Sequence, residues 1–408
     1  MQKLNSIIPK FLIPLIFPSM ILGIFLSHLM MSILIIIFLY KTISEKNYFY
    51  FKSNFCIFFV LFNLVILISS LFSDNLLFSL ESSLFYFRFF LFSLAIWYFL
   101  DLDKSIIKLF VFISSITLFF LISYGIIQFL YFDIINVYDF RISSFFGDEY
   151  ILGSFIVRLF LIIIGLISYV NINNDKIFLL NKKYFILFLF IFCSIGIIIS
   201  GERTAILYLL LIFMIFFIGL KNIKFIYKII FIMLLSIIFS IIIVSQKGLK
   251  DRIFSQLSYN KLINENYFLL FNENHYDLFS GGMITFYHNP LLGVGPKMYR
   301  IKCSDYEVQC STHPHNSYIQ LLAETGMLGF VFILILFFYI SFKLIKLFFS
   351  KRIKINNDYF FYLSSYTVFF INLFPFVQNG NIFGSWISTV YFLPIGFFLY
   401  IKNLENLD

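Results

Sequence analysis

The sequence predicts an all-α polytopic membrane protein, and three observations carry that prediction. Hydrophobic residues make up 61% of the 408-residue chain against 12% charged, with a mean hydropathy of +0.94. Such a composition leaves too little polar surface for a soluble domain. The apolar residues come in runs close to the length that crosses a ~30 Å hydrocarbon core. Lysines and arginines collect in alternate loops between those runs, which is how a chain records its orientation in a bilayer.

The elements follow in order. Residues 7–40 are apolar for about 34 positions, roughly 50 Å of helix and too long for one span. Pro14, Pro18 and Gly23 weaken a single rod, and Ser27-His28 offers a turn, so two short spans are expected there. Further spans are expected at 55–73, 84–100, 105–132, 150–171, 184–200, 203–220, 224–245, 317–347, 358–377 and 383–401. That makes about twelve helices, with one long loop, 246–316, between the ninth and the tenth. The chain thus divides into an N-terminal membrane bundle (1–245), the loop (246–316) and C-terminal membrane helices (317–408).

Assigning alternate loops to the cytoplasm gathers Lys41, Lys46 and Lys52; Lys176, Lys182 and Lys183; Lys221, Lys224 and Lys228; and Lys343, Lys346, Lys351, Arg352 and Lys354 on one side. Both termini are then cytoplasmic. The basic long loop does not contradict this, since long loops translocate largely regardless of charge. The outer face carries 74–83, 133–149, the turn Ser200-Gly201-Glu202-Arg203, the long loop and Gln378-Asn379-Gly380-Asn381. The first apolar run has no small-residue cleavage pattern and continues into another span, so no cleavable leader is expected. The net charge of +9 is scattered among apolar runs and not gathered in a stripe, so no nucleic-acid partner is expected. The 62 phenylalanines read as packing and interface anchors. Neither an internal repeat nor a Gly-rich nucleotide loop is visible, which weighs against a secondary transporter.

The polar stretches on the outer face carry the chemistry. In His313-Pro314-His315-Asn316-Ser317-Tyr318-Ile319-Gln320, Ser317 and Gln320 have the spacing of a capping box, so Ser317 should start a helix. Pro314 cannot continue a helix backward. His315 and Asn316 then sit at a positive helix end, where free N–H groups favour a phosphate; the bland alternative is an interfacial histidine pair that tolerates water. Cys310, His313 and His315, with His275 and His288 upstream, do not follow a zinc spacing, and no metal is expected. Cys303 and Cys310 more plausibly form a disulfide in an oxidising compartment, worth roughly 2 to 3 kcal/mol in the chain-entropy model. Cys56 and Cys193 lie in apolar runs and act as small hydrophobes.

Arg203 sits in an almost loopless turn and must find an anion at the membrane edge. Glu202 is the local partner; because Glu202 is expected at the water edge, needing no ion pair, a bidentate clamp on a diphosphate is the favoured reading. Arg141 precedes Gly147-Asp148-Glu149 in another outer loop, Arg158 lies one to three turns into the next span, and Arg88 lies in the 84–100 helix. Arginines gathered near one face suggest a polyanionic ligand; structural pairing, such as Arg141 with Asp148 or Glu149, is the other reading, and for Arg88 and Arg158 both stay open. Gly293-Val294-Gly295-Pro296 is a tight turn followed by Lys297 and Arg300, which add charge to the same site if they face it. Asp101-Leu102-Asp103 has the spacing of a metal-nucleotide carboxylate pair, but its cytoplasmic position reads as an interface pair.

The order of an outer arginine loop, Ser-Gly-Glu-Arg-Thr at 200–204, Gly-Val-Gly-Pro at 293–296, His-Pro-His-Asn-Ser-Tyr at 313–318 and Glu324-Thr325-Gly326-Met327-Leu328-Gly329 resembles the O-antigen ligase and O-antigen polymerase superfamily. The likeness is specific around 281–330, looser over 140–210, and extends to Phe374-Pro375 through Trp386. It implies a GT-C-like, inverting glycosyltransferase without cofactor or metal, in the bacterial inner membrane with its active site facing the periplasm. The implied partners are an undecaprenyl-diphosphate-linked glycan and an acceptor that is lipid A core, a growing glycan or a protein. The family's His-Asn motif maps onto His315-Asn316, its turn arginine onto Arg203 and its earlier arginine onto Arg141. Its second long-loop cation maps onto Arg300, with Lys297 the alternative. On that reading the cations and the helix end at 316–320 hold the diphosphate, His315 orients or deprotonates the acceptor, Asp148 or Glu149 is the alternative base, and His313 keeps the loop in shape. The competing class is a transporter of lipid-linked oligosaccharide that breaks no bond.

Overall fold

The computed structural model describes residues 2–131, 140–170, 181–221, 223–253, 273–306, 308, 310–349 and 357–405. Of the positions considered above, 133–139, Lys176, Lys351, Arg352 and Lys354 lie outside the described residues, as does the His275 side chain. The helices are α1 (Gln2–Leu22), α2 (Ile24–Ser44), α3 (Asn54–Leu71), α4 (Leu76–Ser83), α5 (Arg88–Leu102), α6 (Ser105–Leu130), α7 (Leu152–Tyr169), α8 (Lys182–Ile199), α9 (Arg203–Gly219), α10 (Phe225–Ser245), α11 (Glu273–His288), α12 (Tyr299–Lys302), α13 (Ser317–Phe349), α14 (Asn357–Asn372) and α15 (Ser385–Glu405). The chain is a multi-pass membrane protein, all-helical among the described residues.

Among the described residues, nine helices are long and apolar enough to cross a membrane, against about twelve expected. Ile7–Leu22 and Arg203–Gly219 are shorter apolar helices, and α14 has 16 residues; at 1.5 Å per residue each reaches only about 25 Å. The first apolar stretch divides at Gly23, between α1 and α2. Ser27 and His28 lie inside α2, which corrects the turn expected there: Ser27 hydrogen-bonds its own helix, Oγ donating to the Ile24 carbonyl at 2.9 Å. The outer segment 74–83 is largely helix α4, capped by Asn75, whose side chain accepts from Phe78 N–H at 3.2 Å.

The centre of the bundle is α7, largely apolar and buried on nearly every side, as a helix enclosed by protein should be. It packs on α8 and α14, while α5 packs on α15 and α1 on α6. Small residues allow the close approaches: a Cβ on Gly165 of α7 would lie 3.0 Å from Ser364 of α14, and one on Gly396 of α15 would lie 2.6 Å from Ile96 of α5. At the other extreme α10 is 11% buried along its span and stands at the margin.

The element that positions the site is α13, which is not the single span expected at 317–347. It breaks at Gly326, whose φ of 64° and ψ of −163° leave the helical region. The backbone groups freed by the break are taken by the 290–295 turn. Met327 and Leu328 N–H donate to the Pro290 and Leu291 carbonyls at 2.8 and 3.4 Å, and Val294 and Gly295 N–H donate to the Ala323 and Glu324 carbonyls at 3.0 and 2.9 Å. Within a membrane protein such a break survives only when every freed group is re-satisfied. Ser69 on α3 adds to the joint, its Oγ lying 2.6 Å from the Leu292 carbonyl and 2.8 Å from that of Glu324.

Both sides of this joint need glycine. A Cβ on Gly293 (φ 66°) would sit 2.4 Å from the Glu324 carbonyl carbon, and one on Gly326 would sit 2.3 Å from Leu291 backbone. Gly326→Ala and Gly293→Ala should each cost at least about 1–3 kcal/mol from backbone strain alone, read as a lowered thermal-unfolding midpoint of the detergent-purified protein; Gly380→Ala, where a Cβ would meet nothing within 4 Å, serves as the neutral control.

Candidate functional site

The first half of α13, residues 317–325, carries a buried polar stripe. Asn316, Gln320 and Glu324 follow one another at four-residue spacing, so they share a face, and they are 6%, 0% and 0% exposed. Asn316 and Gln320 grip the two ends of the 375–383 loop, and Glu324 grips the 293–300 turn. The Asn316 amide Oδ1 accepts from Tyr318 and Ile319 N–H at 2.9 and 3.2 Å while Nδ2 donates to the Pro375 carbonyl at 2.7 Å. Gln320 Nε2 donates to Asn381 Oδ1 at 2.7 Å and to Glu324 Oε2 at 2.9 Å, and its Oε1 accepts from Ile382 N–H at 3.0 Å. Glu324 Oε1 accepts from Tyr299 N–H at 3.3 Å. The capping box expected from Ser317 and Gln320 is therefore absent: Asn316 is the cap, and Gln320 turns toward the 378–383 loop because its amide finds two partners there. The N–H groups of 318 and 319 go to the Asn316 side chain and that of 320 to its carbonyl, so the anion site expected at 316–320 is filled by the chain's own cap.

The histidines meet a second asparagine. Asn379 N–H donates to the His315 carbonyl at 2.8 Å, and the Asn379 carbonyl faces His313 Nε2 at 3.2 Å. A carbonyl only accepts, so His313 carries its proton on Nε2, and Nδ1 takes the Thr312 hydroxyl at 2.9 Å. The two imidazoles lie 4.2 Å apart. Burial, then the neighbouring His315, pushes His313 down to about 4, and burial also lowers His315. Both rings are neutral at pH 7. His313, with both nitrogens engaged, is a structural member of the pair; His315 is half-buried, with Nε2 3.4 Å from Ser311 Oγ. Its backbone sits at φ 55°, a left-handed conformation uncommon outside glycine, and Lys297 shares it at φ 61°.

Asn379 also binds the arginine that sequence reasoning left open. Its Oδ1 accepts from Arg158 Nη2 at 3.0 Å and from Tyr208 hydroxyl at 2.8 Å. Arg158 is 2% exposed, lies 5.1 Å from the Tyr208 ring, and donates Nη1 to the Ser154 carbonyl. Tyr391 also lies within reach of the Arg158 guanidinium, while Arg158 Nε and Asn379 Nδ2 have no hydrogen-bond partner among the described residues.

Glu202 does not lie at the water edge, which corrects that expectation. It is half-buried, with Oε1 taking Gly153 N–H at 2.6 Å at the start of α7. Burial raises its pKa, and hydrogen bonds from Ser154 and Gly153 and the charge of Arg158 oppose that. Arg203 is exposed at the first position of α9. The segment carrying Arg141 is tied to the same turn, Ile142 N–H donating to the Ser200 carbonyl at 3.2 Å, and Arg252 Nε donates to the Gly201 carbonyl at 2.9 Å. The Arg141 guanidinium lies 5.7 Å from the Tyr150 ring. Asp148 and Glu149 are exposed.

A second cationic group lies around the 293–300 turn. Lys297 is half-buried and burial lowers its pKa; Glu81 and Glu324 pull it up while Arg300 and Arg88 push it down, so all four lie within its electrostatic reach. Arg300 is exposed. Arg88 donates Nη2 to Ser385 Oγ at 3.0 Å and lies 4.9 Å from the Phe89 ring. The Cys303 and Cys310 sulfurs are bonded, with Cα atoms 5.4 Å apart; Cys303 is fully buried against Tyr299 and Ala323, and the next residue after Cys310 is the Ser311 that meets His315. No three His, Cys, Asp or Glu side chains gather in a metal-binding arrangement among the described residues. Asp101 accepts from the Tyr50 hydroxyl at 2.9 Å and Asp103 pairs with Lys10 at 3.1 Å.

The structure thus joins His313, His315 and Arg158 through Asn379, and sets Arg141 beside the Arg203 turn. Sequence reasoning missed Asn379, Tyr208, Gln320 and Glu324 as site residues. The available signals were the polar tetrapeptide 378–381 between two apolar runs and a carboxylate in an apolar helix, where an ionisable residue is expected to have a specific role. Residues 188–334 match the family model described as O-antigen ligase. No curated protein matches the chain. The matched segment holds Arg203, Lys297, Arg300, both histidines and the whole polar stripe.

The histidine shift has a testable sign. An unfolded histidine protonates near 6.5 whereas folded His313 resists to about 4, so its contribution to stability is complete above pH 6.5 and lost as pH falls toward 4. The unfolding midpoint of the wild type should fall over that window more steeply than that of His313→Gln; parallel curves would mean that His313 is not held neutral.

Proposed function

We propose, from an O-antigen ligase segment at residues 188–334 whose histidine pair is locked to a buried arginine through Asn379, that the chain is an inverting, metal-independent membrane glycosyltransferase of the GT-C type. Its donor is a glycan on undecaprenyl diphosphate, and it works at the periplasmic face of the bacterial inner membrane. The acceptor is lipid A core, a growing glycan or a protein. The observation that carries this reading is a half-buried His315, inside the segment that matches the O-antigen ligase model, whose backbone is held by Asn379, the same asparagine that binds the buried Arg158.

In the reaction an acceptor hydroxyl attacks the anomeric carbon as the bond from that carbon to the diphosphate oxygen breaks. His315 takes the hydroxyl proton; a neutral imidazole at pH 7 is the form that can. Negative charge grows on the departing diphosphate, and fixed cations aimed there lower the barrier most. Arg203 and Arg141 serve this role, with Arg300 and Lys297 approaching from the second group and Arg158 bracing Asn379. Asp148 and Glu149, both exposed, are the alternative bases. Attack opposite the leaving group inverts the anomeric centre.

In membranes supplied with a lipid-linked donor, His315→Ala should reduce transfer by about 10²–10⁴-fold and Arg203→Ala by about 10²–10³-fold, with the protein still folded. A chelator should leave the rate unchanged. Full activity in either variant sinks the assignment. Product analysis separates the classes: a polymerase lengthens the carrier-bound chain, a ligase moves it to another acceptor, and a transporter leaves every bond intact.

A further inference from the structure

Glu324 is the least expected residue in the site. It is fully buried on α13, where an unpaired carboxylate would be costly to desolvate. Its partners explain how it is tolerated: Tyr299 N–H on one oxygen, the Gln320 amide on the other, and the Lys297 N–H as a further backbone donor. The location of those bonds says what the carboxylate is for. The start of the 293–300 turn is already fixed by main-chain bonds from Val294 and Gly295 to the Ala323 and Glu324 carbonyls, at 3.0 and 2.9 Å. Those bonds need no particular side chain at 324. The carboxylate acts only farther along, at 297 and 299, where the turn delivers Lys297 and Arg300. Lys297 is held there in a left-handed backbone conformation, which persists only when its surroundings impose it.

Gln320 links this grip to the other side of the site. While Nε2 reaches Glu324, the same amide bonds Asn381 Oδ1 and takes Ile382 N–H, two and three residues beyond the asparagine that holds His315. The Glu324 and Gln320 side chains therefore tie the cation-bearing turn to the 375–383 loop, and Asn379 of that loop holds the histidine-bearing stretch.

We propose that Glu324, braced by Gln320, is a positioning residue that sets Lys297 and Arg300 in register with His315 for the diphosphate of the lipid-linked donor. The inference rests on the glycosyltransferase reading and deepens it. Glu324 touches no substrate; it acts through the two cations, so its effect must vanish when they are gone.

The test is a double-mutant comparison on the full-length protein in detergent, with undecaprenyl diphosphate itself as the binding probe and donor-dependent transfer as the second readout. Glu324→Gln keeps the shape and should weaken undecaprenyl diphosphate binding and raise KM for the donor about tenfold. In a Lys297→Met/Arg300→Met background the same change should add less than twofold, since coupled residues are non-additive. Gln320→Met should show the same pattern at about threefold, and it carries the test if Glu324→Gln does not fold. A full tenfold loss in the cation-free background, or no loss in the wild-type background, overturns the proposal. If the wild type binds with the expected coupling but transfers no glycan, the functional reading fails and the positioning role stands; transfer without coupling gives the reverse.

Discussion

The cost of withdrawing polar groups from water shapes the centre of this structure. A soluble enzyme can leave a side-chain amide to solvent, but Asn316, Gln320, Glu324 and Asn379 are buried inside a membrane bundle and must find protein partners. Because their partners belong to other segments, satisfying them fixes the 293–300 turn, the 311–316 stretch, the 375–383 loop and α7 relative to one another. The site is held by the same bonds that make its burial tolerable, and a substitution at any of these four residues disturbs fold and geometry together.

The cations divide by the way they are held. Arg158 is enclosed by protein and spends its guanidinium on the Ser154 carbonyl and Asn379, so it acts as a brace. Arg203 and Arg300 are exposed at the ends of elements whose backbones are fixed by Ser200 and Glu324. The arrangement puts two exposed arginines on backbone that buried groups hold in place. Glu202 belongs with the bracing groups, since its carboxylate closes the start of α7 and meets there the positive end of the helix.

Hydropathy made the membrane class and the order of the spans legible, because long apolar runs have few alternative fates. The limits of a sequence reading appear where the competing structures have similar composition. Gly23 and Ser27-His28 both looked able to turn the chain; the glycine, without a Cβ to favour helix, is where it turned. Ser317 and Gln320 had capping-box spacing, yet an asparagine one residue earlier is as good a cap, and a buried glutamine prefers two partners on another loop to one on its own helix. Arg203, Arg141 and the histidine pair were legible through the order of motifs. Asn379 was not, since an asparagine between two apolar runs is an ordinary loop residue until its partners, 66 residues away at His313 and 221 away at Arg158, are known. The break at Gly326 was hidden for a related reason: apolar residues continue on both sides of it, and only the glycines across the joint record it.

Two of the four non-glycine residues with positive φ among the described residues are Lys297 and His315. A chain selected only to fold would do better with glycine or asparagine at both places, where the left-handed conformation costs less. Folding and chemistry therefore pull in opposite directions at the same two residues. Searching for a more stable form of this protein by substitution would lead first to positions 297 and 315, and would return a sturdier bundle without the base and without one of the cations proposed for it.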